Sequence, residues 1–381
     1  MKALKKPPST EKTNKNNPIA WELFFEGDDY FHSLQNDIKK AEKSIFVEKY
    51  IIQEDEIGIP FLELLMKKAS EGVQVRLIID GLGSYNITKS PVLEKLKASG
   101  VEVRIFRPVT WTFFFHFKNH RRDHRKLVVI DGKTVYIGGT NIKRTHSRRV
   151  MGDKCWRDTT IRISGNIAEQ ASIMFNRVWN FVNTNHLFMP VRSRRKRSIL
   201  EGIEIIENIS IVKRIRYRIL FSRLIRNSKK NVFLQTAYFV PGIFLLRSLN
   251  RASRRGVKIK IILSEFSDVR AAKWAGRAVY SSLLKNGVQI FEYIPRFSHA
   301  KTMIVDDEYS IVGTTNLDYR SFLHNLEIDV VMHREDVAAE LTKRFSADLA
   351  FSREIIYEEW KKRPLKDRIL EKFFYIFRYY L

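Results

Sequence analysis

Apolar and polar positions follow the same order in the two halves of the chain. In each half, three short apolar runs have the pattern of strands, and the amphipathic segments between them have the pattern of helices. The strand-like runs are "KSIFVEKYII", "VQVRLIID" and "VEVRIF" in the first half, and "NVFLQTAYFV", "VKIKIIL" and "VQIFEYI" in the second. This alternation predicts two α/β domains with largely parallel sheets, and the shared order indicates an internal duplication.

Changes in composition divide the chain into five segments. Residues 1–18 are basic and polar and are expected to be disordered, whereas residues 353–381 form an aromatic and basic C-terminal tail. The two predicted domains comprise residues 19–191 and 228–352. Residues 192–227, which open with "RSRRKRS", are predicted to be a basic linker that is either solvated or in contact with lipid headgroups or nucleic acid.

The net charge restricts the class of partner. The 381 residues include 68 Lys and Arg but only 42 Asp and Glu, which gives a formal charge of +26. Such a charge favours binding to a polyanion, which is either nucleic acid or a membrane surface rich in anionic lipid. The N-terminus lacks the apolar stretch of a secretory signal, and no apolar run is long enough for a transmembrane helix, so any membrane contact is expected to be peripheral. The single cysteine excludes a disulfide framework within the chain.

Each half ends in the same polar pattern, in which histidine, lysine, aspartate, glycine and asparagine recur at identical spacing. The residues are His124, Lys126, Asp131, Gly138 and Asn141, and again His299, Lys301, Asp306, Gly313 and Asn316. The histidine and lysine precede an apolar burst, so both side chains point to one face at the start of a buried strand. Two such sets suit a phosphodiester, whose phosphorus is attacked on one side while the leaving oxygen is protonated on the other.

These paired motifs resemble those of the phospholipase D superfamily, and the resemblance extends from about Trp21 to residue 352. The stretches "WRDTTIRISG" and "GTTNLDYRSFLHNLEIDVV" are similar to bacterial cardiolipin synthases, in particular to short forms without N-terminal transmembrane helices. The resemblance implies an α/β fold of two tandem phospholipase D-like α-β-α domains with the active site at their interface. It also implies a reaction through a phosphohistidine, without a metal or other cofactor.

The resemblance further implies a role for each motif residue. His124 would attack phosphorus, and His299 would protonate the departing alcohol and then deprotonate the incoming one. The motif aspartates, Asp131 and Asp306, would be structural members of the catalytic motif. The nonbridging phosphate oxygens would be held by Lys126, Lys301, Asn141 and Asn316.

A reactive histidine needs a carboxylate on its second ring nitrogen to fix its tautomer. In the superfamily such a carboxylate follows the motif asparagine, and Asp158 and Glu327 occupy the matching places here. Each lies beside a strand-like run, so the alternative is a surface strand residue. The remaining histidines, among them His146 and His324, are interpreted as surface or structural residues.

The first half contains about a dozen additional residues just before its motif, and they are rich in aromatic side chains. Trp111, Phe113, Phe114 and Phe115 lie beside basic residues there, which suits a membrane interface, although packing into the core is the alternative. The C-terminal "KFFYIFRYY" has the same character.

The sequence as a whole predicts a peripheral membrane phosphatidyltransferase at the cytoplasmic face of a bacterial inner membrane. Its expected reaction joins two phosphatidylglycerols into cardiolipin and releases glycerol. The alternatives are a phospholipase D that forms phosphatidic acid and, because of the basic charge, a nucleic-acid phosphodiesterase. The aromatic insertion favours lipid over nucleic acid.

Overall fold

The computed structural model describes residues 19–110, 120–182, 184 and 199–381, and these residues form two large sheets and one small two-stranded sheet, flanked by helices. The predicted disordered N-terminus lies outside this range.

The first half builds a seven-stranded sheet in the order β1-β7-β6-β5-β2-β3-β4. Its elements are β1 (Ala20–Phe24), α1 (Gly27–Lys39), β2 (Ser44–Lys49), α2 (Gly58–Ser70), β3 (Gln74–Asp80), α3 (Tyr85–Lys89), α4 (Pro91–Ala98), β4 (Glu102–Phe106), β5 (Lys126–Ile130), β6 (Thr134–Gly138), α5 (Arg148–Met151), β7 (Thr160–Ser164) and α6 (Ile167–Val182).

The second half builds an eight-stranded sheet in the order β17-β12-β11-β9-β13-β14-β16-β8. Its elements are β8 (Ile203–Glu207), α7 (Ile211–Asn227), β9 (Asn231–Gln235), β10 (Phe239–Val240), α8 (Ile243–Arg254), β11 (Lys258–Ser264), α9 (Arg270–Arg277), α10 (Tyr280–Lys285), β12 (Gln289–Tyr293), β13 (Thr302–Val305), β14 (Tyr309–Gly313), β15 (Leu317–Asp318), α11 (Tyr319–Leu323), β16 (Ile328–His333), α12 (Glu335–Ala350), β17 (Ser352–Glu354), α13 (Tyr357–Trp360) and α14 (Leu365–Ile376).

Both sheets are mixed, so the prediction of largely parallel sheets is wrong. Within these two large sheets, parallel pairing among the described strands is confined to β2, β3 and β4 in one and to β9, β11 and β12 in the other, while β10 and β15 form a separate parallel pair. The motif strands β5 and β13 pair antiparallel with their neighbours, because a tight turn sends the chain directly back as β6 and β14. A tight turn between adjacent strands always produces an antiparallel pair.

The second unit begins earlier than predicted, so the assignment of residues 192–227 to a linker is wrong from residue 203 onwards. Strand β8 pairs with β16, just as β1 pairs with β7 in the first sheet. Helix α7 contributes Tyr217, Phe221 and Ile225 to the core of the second half. The predicted tail is likewise structured, since β17 pairs with β12 and α14 packs against α9.

The two halves share one apolar core rather than meeting at a solvated seam. A single cluster of buried side chains contains Ile161 and Phe175 from the first half together with Ile328, Met332 and Phe345 from the second. Buried ion pairs also join the halves. Arg125 lies 3.5 Å from Glu207, and Arg157 lies 2.8 Å from Asp348. This shared core fixes the relative position of the two motifs.

The two motif aspartates tie the turn after each motif strand to the start of the neighbouring strand. The Asp131 carboxylate accepts backbone N–H bonds from Glu42, Lys43 and Ser44 at 2.8–3.0 Å, and Asp306 accepts the equivalent bonds from residues 229–231. Both aspartates have positive φ angles, 53° and 56°. Burial acts to raise the pKa of Asp131, but the backbone hydrogen bonds outweigh it and lower that pKa.

Replacing Asp131 by alanine should lower the free energy of unfolding by about 2–4 kcal/mol, because three N–H groups lose a charged acceptor. Asp131→Asn should lose less than half as much, since asparagine tolerates a positive φ and keeps one acceptor. Chemical denaturation measures both values. The exposed neighbour Lys133 provides the control, and Lys133→Ala should change stability by less than about 0.5 kcal/mol. Equal stability of wild type and Asp131→Ala would contradict this structural role.

Candidate active site

Both motif histidines stand directly before a motif strand, where the backbone of one half bonds to the other half. The His124 N–H donates to the Leu326 carbonyl at 3.0 Å, and the His299 N–H donates to the Arg157 carbonyl at 2.7 Å. Short parallel bridges, Asp123 with Leu326 and Arg157 with Ser298, accompany these bonds. The two histidines therefore belong to one site at the interface of the halves.

Each histidine side chain is bonded to a carboxylate from the opposite half. Nδ1 of His124 lies 3.0 and 3.1 Å from the two carboxylate oxygens of Glu327, and Nδ1 of His299 lies 2.6 Å from Oδ2 of Asp158. These are the two acidic residues that the sequence placed in an orienting role. When the carboxylate accepts a hydrogen bond from Nδ1–H, the neutral ring carries its proton on Nδ1 and presents an unprotonated Nε2.

Burial keeps both imidazoles neutral. The pKa of His124 lies well below its ordinary value because of burial and then the charges of Lys126 and Lys301. The same causes, with Lys301 before Lys126, lower the pKa of His299. A neutral imidazole with a free Nε2 is the nucleophilic form.

The motif lysines are buried beside the histidines that precede them. Lys126 donates to the His124 carbonyl at 2.9 Å, and Lys301 donates to the His299 carbonyl. Burial and then the charge of Lys301 lower the pKa of Lys126 to about 7. Burial also lowers the pKa of Lys301. Two cations in one dry site are a ready binding place for an anion, which would stabilise their charged forms.

The motif asparagines lie in the loops that follow β6 and β14. The side-chain Oδ1 atoms of Asn141 and Asn316 are buried and have no hydrogen-bond partner among the described residues. Their backbone N–H groups are held by His146 Nε2 at 3.4 Å and by Ser321 Oγ at 3.3 Å. The two amides thus lie in the site with unused hydrogen-bonding capacity.

His146 was interpreted from sequence as a surface or structural residue, but it is a buried part of the site. Its ring lies 5.7 Å from that of His299, and its Nδ1 lies 3.7 Å from Asp158 Oδ2. The residue at the equivalent position of the second half is Ser321, which also follows its motif asparagine by five places. Continuing the alignment of the two halves beyond the motif asparagines would have pointed to His146 and Ser321 from sequence.

Three side chains of the site have the geometry of a possible metal cluster. Ligand atoms of His146, Asp158 and His299 all lie within 4.8 Å of one another. In the structure Asp158 is hydrogen-bonded to the His299 ring and accepts the Thr159 N–H, whereas Nδ1 of His146 lies 3.7 Å from Asp158, beyond hydrogen-bond distance. The proximity of these three side chains is therefore explained by the hydrogen bond through which Asp158 positions His299.

The predicted membrane contact residues Trp111, Phe113, Phe114 and Phe115 lie outside the described residues. His324, by contrast, is described, and its Nε2 lies 2.9 Å from the carbonyl of Tyr379 near the C-terminus.

Comparison with known proteins agrees with this geometry. The family model "Cardiolipin synthase, PLD-like domain" matches residues 34–179 and again residues 221–349. A cardiolipin synthase of Clostridium perfringens strain SM101 is 33% identical over 357 residues, which cover 92% of this chain and 74% of that protein. The major cardiolipin synthase of Bacillus subtilis is 33% identical over 355 residues, covering 92% of this chain and 73% of that protein.

The chain belongs to the cardiolipin synthase family of phospholipase D-like proteins. This membership confirms the resemblance inferred from the paired motifs and makes the chain a phosphatidyltransferase of the phospholipase D superfamily. The two matched segments confirm the internal duplication.

Solved structures share the fold of this cardiolipin synthase family member. Phosphatidylserine synthase of Haemophilus influenzae superposes with a TM-score of 0.73 at 16% identity, covering 96% of this chain and 98% of that one. Polyphosphate kinase of Porphyromonas gingivalis superposes with a TM-score of 0.61 at 14% identity, covering 97% of this chain and 54% of that one. At these identities the likeness concerns the fold alone.

Binding of sulfate, a tetrahedral oxyanion whose charge is constant near neutrality, should weaken as the pH rises. The Kd should increase about tenfold between about pH 6 and about pH 8, because Lys126, with a pKa of about 7, loses its proton. Isothermal titration calorimetry measures this dependence. Lys126→Ala should bind sulfate weakly and with less pH dependence, whereas the exposed Lys133→Ala should match wild type. A wild-type Kd that is independent of pH would contradict this assignment.

Proposed function

We propose that this chain transfers the phosphatidyl group of one phosphatidylglycerol to the glycerol hydroxyl of a second, forming cardiolipin and free glycerol. The observation that carries this proposal is the pair of histidines, each bonded at Nδ1 to a carboxylate of the opposite half, beside two buried lysines. Membership in the cardiolipin synthase family selects the lipid reaction from those that such a site can perform.

In the first step, Nε2 of His124 attacks the phosphorus of the donor lipid and forms an N–P bond. The P–O bond to glycerol breaks, and the leaving oxygen takes a proton from His299. The bound phosphodiester anion raises the pKa of His299, so that ring is protonated in the complex although it is neutral in the free site. Lys126, Lys301 and the two motif asparagines stabilise the nonbridging oxygens.

In the second step, His299 accepts the proton of the incoming glycerol hydroxyl. The alkoxide oxygen attacks phosphorus, the N–P bond breaks, and His124 returns to its neutral form. The chemical balance is one phosphatidylglycerol plus another, giving one cardiolipin plus one glycerol.

The two carboxylates differ in a way that supports these roles. His299 has the shorter bond, 2.6 Å to Asp158, which suits a ring that becomes an imidazolium when it carries the proton. Burial raises the pKa of Glu327 to about 7, so this residue is a weaker counter-charge for His124. Because the protonated form of His124 is stabilised less, its ring stays neutral and can act as the nucleophile.

Peripheral binding to an anionic membrane is part of the proposal, and helix α14 supports it. Leu365, Ile369, Phe373 and Ile376 recur every three or four residues on α14, and each is more than half exposed. Exposed Lys366, Arg368 and Lys372 lie among them. An apolar stripe with basic neighbours is typical of a helix that lies in a lipid interface. No helix in the described part of the chain has the length and apolar character needed to cross a bilayer.

We further propose that the protein binds the cytoplasmic face of a bacterial inner membrane, which its formal charge of +26 supports because anionic lipid in that leaflet attracts basic proteins.

Purified protein incubated with phosphatidylglycerol vesicles should form cardiolipin and an equal amount of glycerol, both measured by mass spectrometry. His124→Ala and His299→Ala should lower the rate by roughly a thousandfold or more, because each removes a group that reacts. The exposed His333→Ala is the matched control and should retain the wild-type rate. If phosphatidic acid is the main product, the protein hydrolyses the lipid and does not transfer its phosphatidyl group. The absence of any lipid product, together with cleavage of nucleic acid, would overturn the proposal.

A substrate whose leaving group needs no proton should separate the roles of the two histidines. With a phosphatidyl ester of p-nitrophenol, His299→Ala should still release a burst of about one p-nitrophenol per protein, since proton donation is unnecessary. His124→Ala should give no burst, because the nucleophile is missing. Stopped-flow absorbance measures the release, and acid-quenched mass spectrometry should locate the phosphatidyl group on His124. The opposite pattern would exchange the two roles.

A further inference from the structure

A groove lies on the second half between helices α7 and α8, beside the short helix α11. Its cavity has a volume of about 350 Å³, within the range of small-molecule sites, roughly 300–1,000 Å³. The walls are mainly apolar, and they are formed by Ile215, Ile219, Phe221, Phe244, Leu245 and Phe322. Such walls suit a hydrocarbon chain better than a polar ligand.

One end of this groove reaches the catalytic motif of the second half. Asp318 and Tyr319, which also line it, are the second and third residues after the motif residue Asn316. Asp318 is buried, and Phe221, which forms a wall of the groove, also lines a small cavity that Lys301 borders. A chain that lies in the groove would therefore lead towards the lysine that is proposed to hold the phosphate.

The outer side of the groove is apolar and exposed. Ile215, Ile219 and Phe244 are 50%, 54% and 60% exposed, respectively. The ring of Tyr319 lies 4.6 Å from that of Tyr379, three residues beyond the end of α14, so the groove lies beside the segment that follows that helix. A contiguous apolar surface of this kind marks an interaction site rather than ordinary solvent exposure.

Apart from the buried Asp318, the charged residues of the lining are arginines. Arg218, Arg223 and Arg226 line the groove, and none of the carboxylates in the described ranges forms an ion pair with them. Helix α7 has no acidic residue along its whole length. Arginine side chains at the rim of an apolar groove complement the phosphates of a lipid surface above the hydrocarbon that the groove holds.

We propose that this groove binds one acyl chain of the phosphatidyl substrate, with Arg218, Arg223 and Arg226 contacting phosphates of the surrounding anionic lipids. The groove thereby extracts the substrate partly from the bilayer and directs its phosphate towards Lys301 and His299. The identity of the lipid rests on the proposed function, whereas occupation of the groove by an acyl chain can be measured without turnover.

Photo-crosslinking tests the proposal directly. The probe is phosphatidylglycerol with a diazirine in one acyl chain, mixed into vesicles of phosphatidylglycerol and phosphatidylcholine. After illumination, mass spectrometry should find the label mainly on residues 215–226 and 243–245. The inactive His124→Ala variant should give the same labelling, because binding does not require the reaction.

Two substitutions narrow the groove from different helices. Ser222→Trp places a large ring in it from α7, and Gly242→Leu adds a side chain at the start of α8, where φ is −65° and a Cβ would meet only the Tyr319 ring at 3.8 Å. Each should lower labelling of the groove about tenfold, equivalent to roughly 1.4 kcal/mol. Asn227→Trp, an exposed position at the end of α7 outside the groove, is the matched control and should label like wild type.

Activity on two chain lengths supplies a second readout. Ser222→Trp and Gly242→Leu should raise KM for a long-chain phosphatidylglycerol in mixed micelles by about tenfold. They should leave turnover of the short-chain dihexanoyl lipid within about twofold of wild type, which also shows that they fold.

The possible outcomes separate this inference from the proposed function. If the groove is labelled but no cardiolipin forms, the acyl-chain site is supported and the proposed reaction is contradicted. If cardiolipin forms but the label is spread over α14 and does not change in Ser222→Trp and Gly242→Leu, the proposed reaction is supported. The proposal that the groove binds an acyl chain is then contradicted. An equal loss of activity on both chain lengths would also overturn it.

Discussion

The active site depends on an exchange of hydrogen bonds between the two halves of the chain. Each motif histidine receives its carboxylate, and the bond to its backbone N–H, from the half that does not contain it. Neither half alone could fix the tautomer of its own histidine in this way. The shared apolar core and the buried pairs of Arg125 with Glu207 and Arg157 with Asp348 hold the halves in the one arrangement where both exchanges occur.

Burial of cations is the second physical condition of the site. Lys126 and Lys301 lie in an environment that lowers the pKa of both, and their charges in turn lower the pKa of both histidines. Holding two lysines together without a bound anion costs free energy. Packing of the shared core compensates for this cost, and an anion bound beside the lysines would relieve part of it. The lowered pKa values of the lysines and the neutrality of the histidines thus have the same origin, which is burial.

The two copies of the motif have diverged around a common frame. Where the first copy has Gly139, a Cβ would lie 2.1 Å from Asp158 Oδ1, so only glycine leaves room for that carboxylate. The second copy has Thr314 there, and its hydroxyl donates to Glu327 at 2.6 Å. His146 and Ser321 differ in the same way beside the two asparagines. These differences give the two histidines unequal environments.

The sequence determined the features that repeat or that depend on local pattern. The duplicated motif identified the superfamily, because residue type and separation along the chain are enough for that. The resemblance to the superfamily then pointed to Asp158 and Glu327 as the carboxylates beside the two histidines. It did not predict the mixed sheets, since apolar periodicity does not reveal whether neighbouring strands run parallel. It also assigned residues 203–227 to a linker, because the basic residues of α7 obscured the side that Tyr217 and Phe221 bury. Only the tertiary structure decided that Glu327 pairs with His124 and Asp158 with His299, and that His146 lies in the site. Pairings across about 140 to 200 residues depend on how the two sheets pack, and that packing is a property of the shared core rather than of any local segment.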